Sequence, residues 1–227
     1  MIGYVLATID IVAATNYVLD RIENQSYRLT KLSGYELLVG HKGLRKIVVD
    51  MRKTPHLLIS GLSCSGKSRC MKCILKNLQD NDNAEIVICN PFSDDYRGIH
   101  ARRIVGEDAV DKYITWILET LYEREKPLYI VLEEMYLIRD KKLQEKIASL
   151  LCISRHYNVF VLGIIQEATK ENCKYKSLVN TRIRFRQLDT PSYQVVLGCS
   201  IEEKILNTGQ FYLLSDDLYK GKTYIID

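Results

Sequence analysis

Residues Gly61-Leu62-Ser63-Cys64-Ser65-Gly66-Lys67-Ser68 fit the pattern GxxxxGK[ST]. A short apolar run, His56–Ser60, precedes them, and an amphipathic stretch reading as helix through about Leu78 follows. Strand, glycine-containing turn and helix in that order constrain this chain more than any other feature. Such a turn wraps a phosphate with backbone N–H groups, and Gly61 and Gly66 permit the close approach. Lys67 neutralises the β and γ phosphates, and Ser68 offers a hydroxyl to Mg²⁺. The helix N-terminus adds its partial positive charge. Cys64, Ser65 and Arg69 complete the expected nucleotide contacts, with ATP and Mg²⁺ as the expected ligands.

The rest of the chain suits that frame. Apolar runs at Glu85–Cys89, Leu128–Leu132 and Val159–Ile165 alternate with helical patterns. One helix starts at Asp108 and places Val110, Tyr113, Ile114, Ile117, Leu118 and Leu121 on one face; another covers about Lys141 to Ser154. This alternation predicts an α/β fold with a mainly parallel sheet and helices on both faces. Ligands on such sheets bind beyond the carboxyl ends of the strands. Further strands are expected at Tyr35–Val39 and Lys46–Asp50 around a Gly40–Gly43 turn, and near Gln210–Leu214 and Lys222–Ile226. Arg182–Arg186 alternates, with arginines expected outward and Ile183 and Phe185 inward. The reading divides the chain into 1–34, a helical segment and polar connector, and 35–227, the nucleotide-binding domain.

A length of 227 residues is enough to bury a substantial core. Net charge is only +4, too mild by itself to imply nucleic acid. Its distribution is uneven, because residues 139–186 hold 11 Lys and Arg against 4 Asp and Glu. The seven cysteines are scattered without a framework, which predicts reduced thiols in a cytoplasmic setting. Cys70 and Cys73 form a lone CxxC and read as two thiols on one helix face. Residues 1–19 are mostly apolar with Asp10 in the middle. They read as a packed helix, with a membrane anchor as the other reading.

Two clusters carry candidate chemistry. The run Leu128–Leu132 ends in Glu133-Glu134. A nucleotide hydrolase needs one acid near its metal and another to activate water. Glu133 is assigned to the Mg²⁺ shell and Glu134 to the attacking water. Gln166 ends the next apolar run, where it faces the same edge and is placed to sense the γ-phosphate or hold water.

Several stretches in order resemble the FtsK/SpoIIIE family of DNA translocases, within the FtsK–HerA group of P-loop motor ATPases. Val49-Asp50 and Thr54–Gly61 (TPHLLISG) resemble the family's "D…xPHLLVAG". Cys89-Asn90-Pro91 resembles its strand ending in Asp-Pro, and Leu132-Glu133-Glu134 its "VDE". Arg155–Gln166 resembles "RAxGIHLVLATQ", Asn180–Phe185 resembles "IPTRIAF", and Gly209–Leu213 resembles "GxGDMLF". The resemblance spans about residues 36–226. It implies a RecA-like P-loop NTPase core, a homo-oligomeric and expectedly hexameric ring, and ATP-driven movement of double-stranded DNA. It also implies an arginine supplied across the subunit boundary, for which Arg182 and Arg155 are the matching candidates. Asn90 and Glu133 depart from the family's aspartates. No counterpart of the large translocases' transmembrane region or DNA-reading winged helix is expected, so loading would require a partner protein.

Loops that grip DNA should carry basic residues aimed at phosphates. Arg139, Lys141 and Lys142 follow the acidic strand, and Lys170, Lys174 and Lys176 follow Gln166, with Tyr175 among them. The other reading of these runs is a solvated face. For the chain as a whole the other readings are a secretion-type ATPase with a peptide partner and a regulatory nucleotide-binding module with weak hydrolysis.

Overall fold

The computed structural model describes residues 30–90, 95–166, 175–187, 190–199 and 206–225, with isolated positions 18, 21, 22, 27, 169 and 201. Its strands are β1 (Glu36–Lys42), β2 (Arg45–Asp50), β3 (Leu57–Ser60), β4 (Glu85–Cys89), β5 (Arg102–Ile104), β6 (Leu128–Leu132), β7 (Val159–Ile165), β8 (Thr181–Arg184), β9 (Gln210–Leu214) and β10 (Leu218–Lys222). Its helices are α1 (Lys67–Asp80), α2 (Glu107–Glu119), α3 (Lys141–Ile153) and α4 (Thr190–Leu197). The strands form one ten-stranded sheet in the order β2-β1-β10-β9-β8-β3-β7-β6-β4-β5. From β8 to β5 every pairing is parallel. From β8 to β2 every pairing is antiparallel.

The parallel strands read as continuous apolar runs because both of their faces are covered. Period-two alternation splits them between two cores. Leu57, Ile59, Tyr129, Val131, Phe160 and Leu162 pack with Cys70, Met71, Ile74, Leu75 and Leu78 of α1. Leu58, Ile130, Leu132 and Val161 pack on the opposite face with Val110, Ile114 and Ile117 of α2 and Leu143, Ile147 and Leu150 of α3. Helices therefore cover both faces. Cys70 and Cys73 are buried on α1, where their thiols donate to the carbonyls of Val39 and Tyr224. Burial pushes both thiols up, Cys73 to about 12.

Four expectations change. Gly40 lies inside β1, at a bulge, and the tight turn is centred on Gly43 and Leu44, with Gly43 at φ 58°. The last strand is β10 at Leu218–Lys222, earlier than the expected 222–226, because it forms a hairpin with β9. Arg184 points inward and is fully buried, since its face of β8, shared with Tyr212 and opposite that of Ile183 and Phe185, is covered by α4. The connector is docked onto the core. Tyr27 is buried and donates to the Cys73 carbonyl, while Asn77 and Asn83 donate to the carbonyls of Thr30 and Leu32. Most of residues 1–29, including the apolar first 19, lies outside the described residues. Among the described residues no helix is long and apolar enough to cross a membrane.

Where connector meets core, Gly34 leaves no room for a side chain. A Cβ there would lie 2.0 Å from the Asn83 carbonyl oxygen, and the Gly34 carbonyl accepts the buried Tyr129 hydroxyl at 2.6 Å. Because the obstacle is backbone, Gly34→Ala is expected to destabilise the protein by about 2–3 kcal/mol. Urea unfolding measures this, and an unchanged midpoint would show the connector is not anchored there.

Candidate nucleotide site

The register of the parallel strands brings the candidate residues to one edge. Ser60 of β3 lies beside Ile165 of β7 and Arg184 of β8, and Leu132 of β6 lies beside Cys89 of β4. The residues that follow these strands, Gly61, Asn90, Glu133 and Gln166, therefore leave along the same carboxyl edge.

The loop from Gly61 to Gly66 is held at both ends. Leu62 N–H donates to the Arg186 carbonyl, and Gly209 N–H donates to the Ser65 carbonyl. Gly66 caps α1 at φ 117°, and a Cβ there would press on Gly209 Cα at 3.0 Å. Cys64 is also left-handed, at φ 58°, and alternation of this kind turns successive N–H groups toward one point. The first turn of α1 has no acidic residue and no side-chain cap. Its orphan N–H groups and dipole are the elements of an anion site. Lys67 Nζ donates to the Leu62 carbonyl at 3.0 Å. Burial pushes the Lys67 amine below its ordinary value, and Glu134 and Glu133 pull it back up. Cys64 and Arg69 are exposed, and Ser65 is buried.

Glu133 and Glu134 are both buried, and the backbone separates them. Glu134 is left-handed at φ 47° and opens the 3-10 turn Met135–Leu137. This is a costly conformation for a non-glycine residue and recurs at functional sites. The side chains consequently diverge. Glu133 Oε1 accepts the Tyr96 hydroxyl. Glu134 Oε1 accepts Gln166 Nε2 at 2.5 Å, and Gln166 Oε1 accepts the Ser63 hydroxyl at 3.3 Å. Glu134 Oε2 is buried without a hydrogen-bond partner. A cavity of about 300 Å³ bounded by Asn90, Glu107, Glu133, Glu134, Leu137 and Ile138 adjoins the pair. Two larger hollows lie along the β5 edge by Arg102, Tyr113 and Trp116 and contain none of these groups.

Charge is crowded here. Burial, then the neighbouring charges of Glu134 and Asp95, pushes the Glu133 carboxyl up to about 8. The Ser68 hydroxyl donates to Asp95 Oδ2 at 3.3 Å. Among the described residues no three acidic, histidine or cysteine side chains form a ready-made metal cluster. Glu133 nevertheless lies within electrostatic reach of Glu134, Asp95 and Lys67, and carboxylate and hydroxyl oxygens are the hard donors that suit Mg²⁺. The orphaned Glu134 oxygen and the raised Glu133 fit a site completed by positive charge and water. Ser68, Glu133 and Asp95 are the residues that would hold the ion.

Sequence reading missed Asp95 and Tyr96. The available signal was the acidic run Asp94-Asp95 just beyond the β4 end. Asn90 has a structural task. It is left-handed at φ 53°, and its Oδ1 accepts Gly106 N–H at 2.8 Å, joining the β4 exit to the start of α2. Asparagine tolerates this conformation and supplies a neutral acceptor.

The arginines stand apart from the loop. Arg182 faces the early half of β3, opposite Leu58, and donates to the carbonyls of Val179 and Val196. Arg155 is exposed in the turn Ser154–Tyr157 at the amino end of β7, away from the carboxyl edge. Among the basic positions, Arg139, Lys141 and Lys142 are exposed. Lys176 donates to the Val195 carbonyl, and Tyr175 is a core residue whose hydroxyl donates to Gln144. This corrects the reading of Tyr175 as part of a gripping loop. Lys170 and Lys174 lie outside the described residues.

The sheet order, the loop and the helix that follows it define a P-loop NTPase fold, mainly parallel with an antiparallel extension. Among solved structures the chain is similar to the pCW3 conjugation coupling protein TcpA, in its monomer form with ATPγS. That likeness has 20% identity and a TM-score of 0.72, over 86% of this chain and 67% of TcpA. The cytoplasmic domain of the Thermomonospora curvata type VII secretion ATPase EccC is similar at 13% identity and TM-score 0.71, over 89% of this chain and 28% of EccC. The genome packaging NTPase B204 of Sulfolobus turreted icosahedral virus 2, in complex with AMP, is similar at 14% identity and TM-score 0.55, over 76% of this chain and 99% of B204. These structural neighbours are FtsK/HerA-type P-loop ATPases. No protein-family profile and no curated protein matches the chain.

Proposed function

We propose that this chain is a Mg²⁺-dependent ATPase that moves double-stranded DNA as a homo-oligomeric, expectedly hexameric, ring serving a mobile element or virus. The observation that carries the hydrolytic part is the line Ser63–Gln166–Glu134, which ends in a buried carboxylate oxygen without a partner. Glu134 Oε2 is the atom to take a proton from water as that water adds to the γ-phosphorus and ADP departs. Gln166 fixes the other oxygen of Glu134 and, through Ser63, ties it to the phosphate loop. Lys67 and the loop amides stabilise charge on the transferring group. Bound Mg²⁺ would supply the positive charge that neutralises the β and γ oxygens. Arg155, exposed and remote from its own loop, is the better candidate to act on a neighbouring subunit, since Arg182 is engaged by carbonyls of its own chain.

The DNA part rests on the exposed Arg139, Lys141 and Lys142 beside the site, and on conjugation and packaging proteins among the neighbours. A second reading, an ATPase of protein export, is favoured by the likeness to EccC and by the inward anchoring of Tyr175 and Lys176. Hydrolysis at low salt, with and without linear double-stranded DNA and beside Lys67→Ala, separates the two. Turnover that rises with DNA, falls as salt screens the contacts and disappears in Lys67→Ala is expected. Turnover indifferent to DNA would favour export, and no turnover by assembled rings would favour a regulatory module.

A further inference from the structure

The extra methylene of a glutamate at 133 needs an anchor. Tyr96 lies on the segment between β4 and β5, is fully buried, and donates its hydroxyl to Glu133 Oε1. Its backbone is braced by the edge strand, because Arg103 Nη2 donates to the Tyr96 carbonyl at 3.0 Å. The residue before it, Asp95, accepts the Ser68 hydroxyl. One short turn therefore touches both residues that the loop and the acidic strand offer to the cation.

We infer that Tyr96 is the positioning residue that lets a glutamate serve at 133, and that Asp95 shares the cation shell with Ser68. An unheld Glu133 has more rotamers than the aspartate its position resembles, and each added torsion loosens an oxygen that must sit within coordination distance. A phenol on Oε1 removes that freedom and leaves Oε2 for the ion. Partners behind a ligand orient it in this way, and losing one typically weakens metal binding by about 10- to 100-fold. Asp95 adds the second hard oxygen that two-carboxylate shells use.

The inference rests on the nucleotide-binding reading of this site. Its test is binding of a fluorescent ADP analogue to the full chain, titrated with Mg²⁺ and repeated in EDTA. Tyr96→Phe is expected to raise the half-saturating Mg²⁺ concentration about tenfold and leave binding in EDTA unchanged. Asp95→Asn should act in the same direction. In a Glu133→Ala background, Tyr96→Phe should add nothing, because the two residues act as one unit. An unaltered Mg²⁺ requirement in both variants, or an equal Tyr96→Phe effect without Glu133, would overturn the inference while leaving nucleotide binding intact. Failure of the unmodified protein to bind the nucleotide would instead overturn the site reading itself, and the inference with it.

Discussion

Glu134→Gln is expected to lower ATP turnover by about a thousandfold, within the range that loss of a positioned general base costs, and to leave nucleotide binding in place. The substitution keeps shape and hydrogen-bonding length but removes the charge that draws a proton from water. Gln166 Nε2 now donates to Glu134 Oε1, and the glutamine amide oxygen can accept the same bond. The fold should tolerate the change, since a buried carboxylate with one oxygen unpartnered is replaced by a neutral group. Single-turnover hydrolysis and equilibrium nucleotide binding on the same preparation measure both halves. Turnover within about threefold of the unmodified protein would be too small for a general base and would remove Glu134 from that role. Gln166→Ala offers a graded control. It frees Glu134 Oε1 and unties Ser63, so turnover should fall less, by about tenfold to a hundredfold. Lys67→Ala differs from both, because it should weaken nucleotide binding as well as turnover.

How legible the site was in the sequence depended on how local each constraint is. The phosphate loop was readable because strand, turn and helix are contiguous, and every residue of the motif serves one task. β4, β6, β7 and β9 were readable to the residue from apolar runs bounded by turn signals. Arg184 was misplaced because alternation says which residues share a face and not whether that face is covered. Here α4 packs on that face of β8 with Val196 and Leu197, so the side predicted as solvent is interior. β5 was missed because three residues with two exposed arginines carry no apolar run. Tyr175 looked like part of a basic surface because its neighbours are lysines, yet its ring fills a gap beneath α3. Asp95 and Tyr96 were only partly legible. The acidic pair Asp94-Asp95 beyond β4 is visible in the sequence, but the partners that give Asp95 and Tyr96 their importance lie 27 and 37 residues away in the chain.

The metal-free protein should become less stable as pH rises from about 5 to 8, and Glu133 is the main cause. Burial and the charges of Glu134 and Asp95 raise its folded value from 4.5 to about 8, whereas in the unfolded chain it titrates near the ordinary glutamate value. Below that ordinary value both states hold the proton, and the group costs nothing. As pH rises, the unfolded state ionises first, while the folded state must either retain the proton or bury a charge. The penalty therefore grows with pH and is complete once pH passes the folded value. At 1.36 kcal/mol per unit it reaches on the order of 5 kcal/mol. Urea unfolding in EDTA at pH 5 and pH 8 measures it, and Glu133→Gln should flatten most of the slope. A slope unchanged in that variant would place the cost elsewhere. Mg²⁺ with nucleotide should restore stability chiefly at the alkaline end, because only an ionised Glu133 has a charge to share with a cation. The carboxylate crowding that weakens the metal-free protein would then be what gives the site its affinity for the ion. Its stability should respond to Mg²⁺ most at the pH where the metal-free fold is weakest.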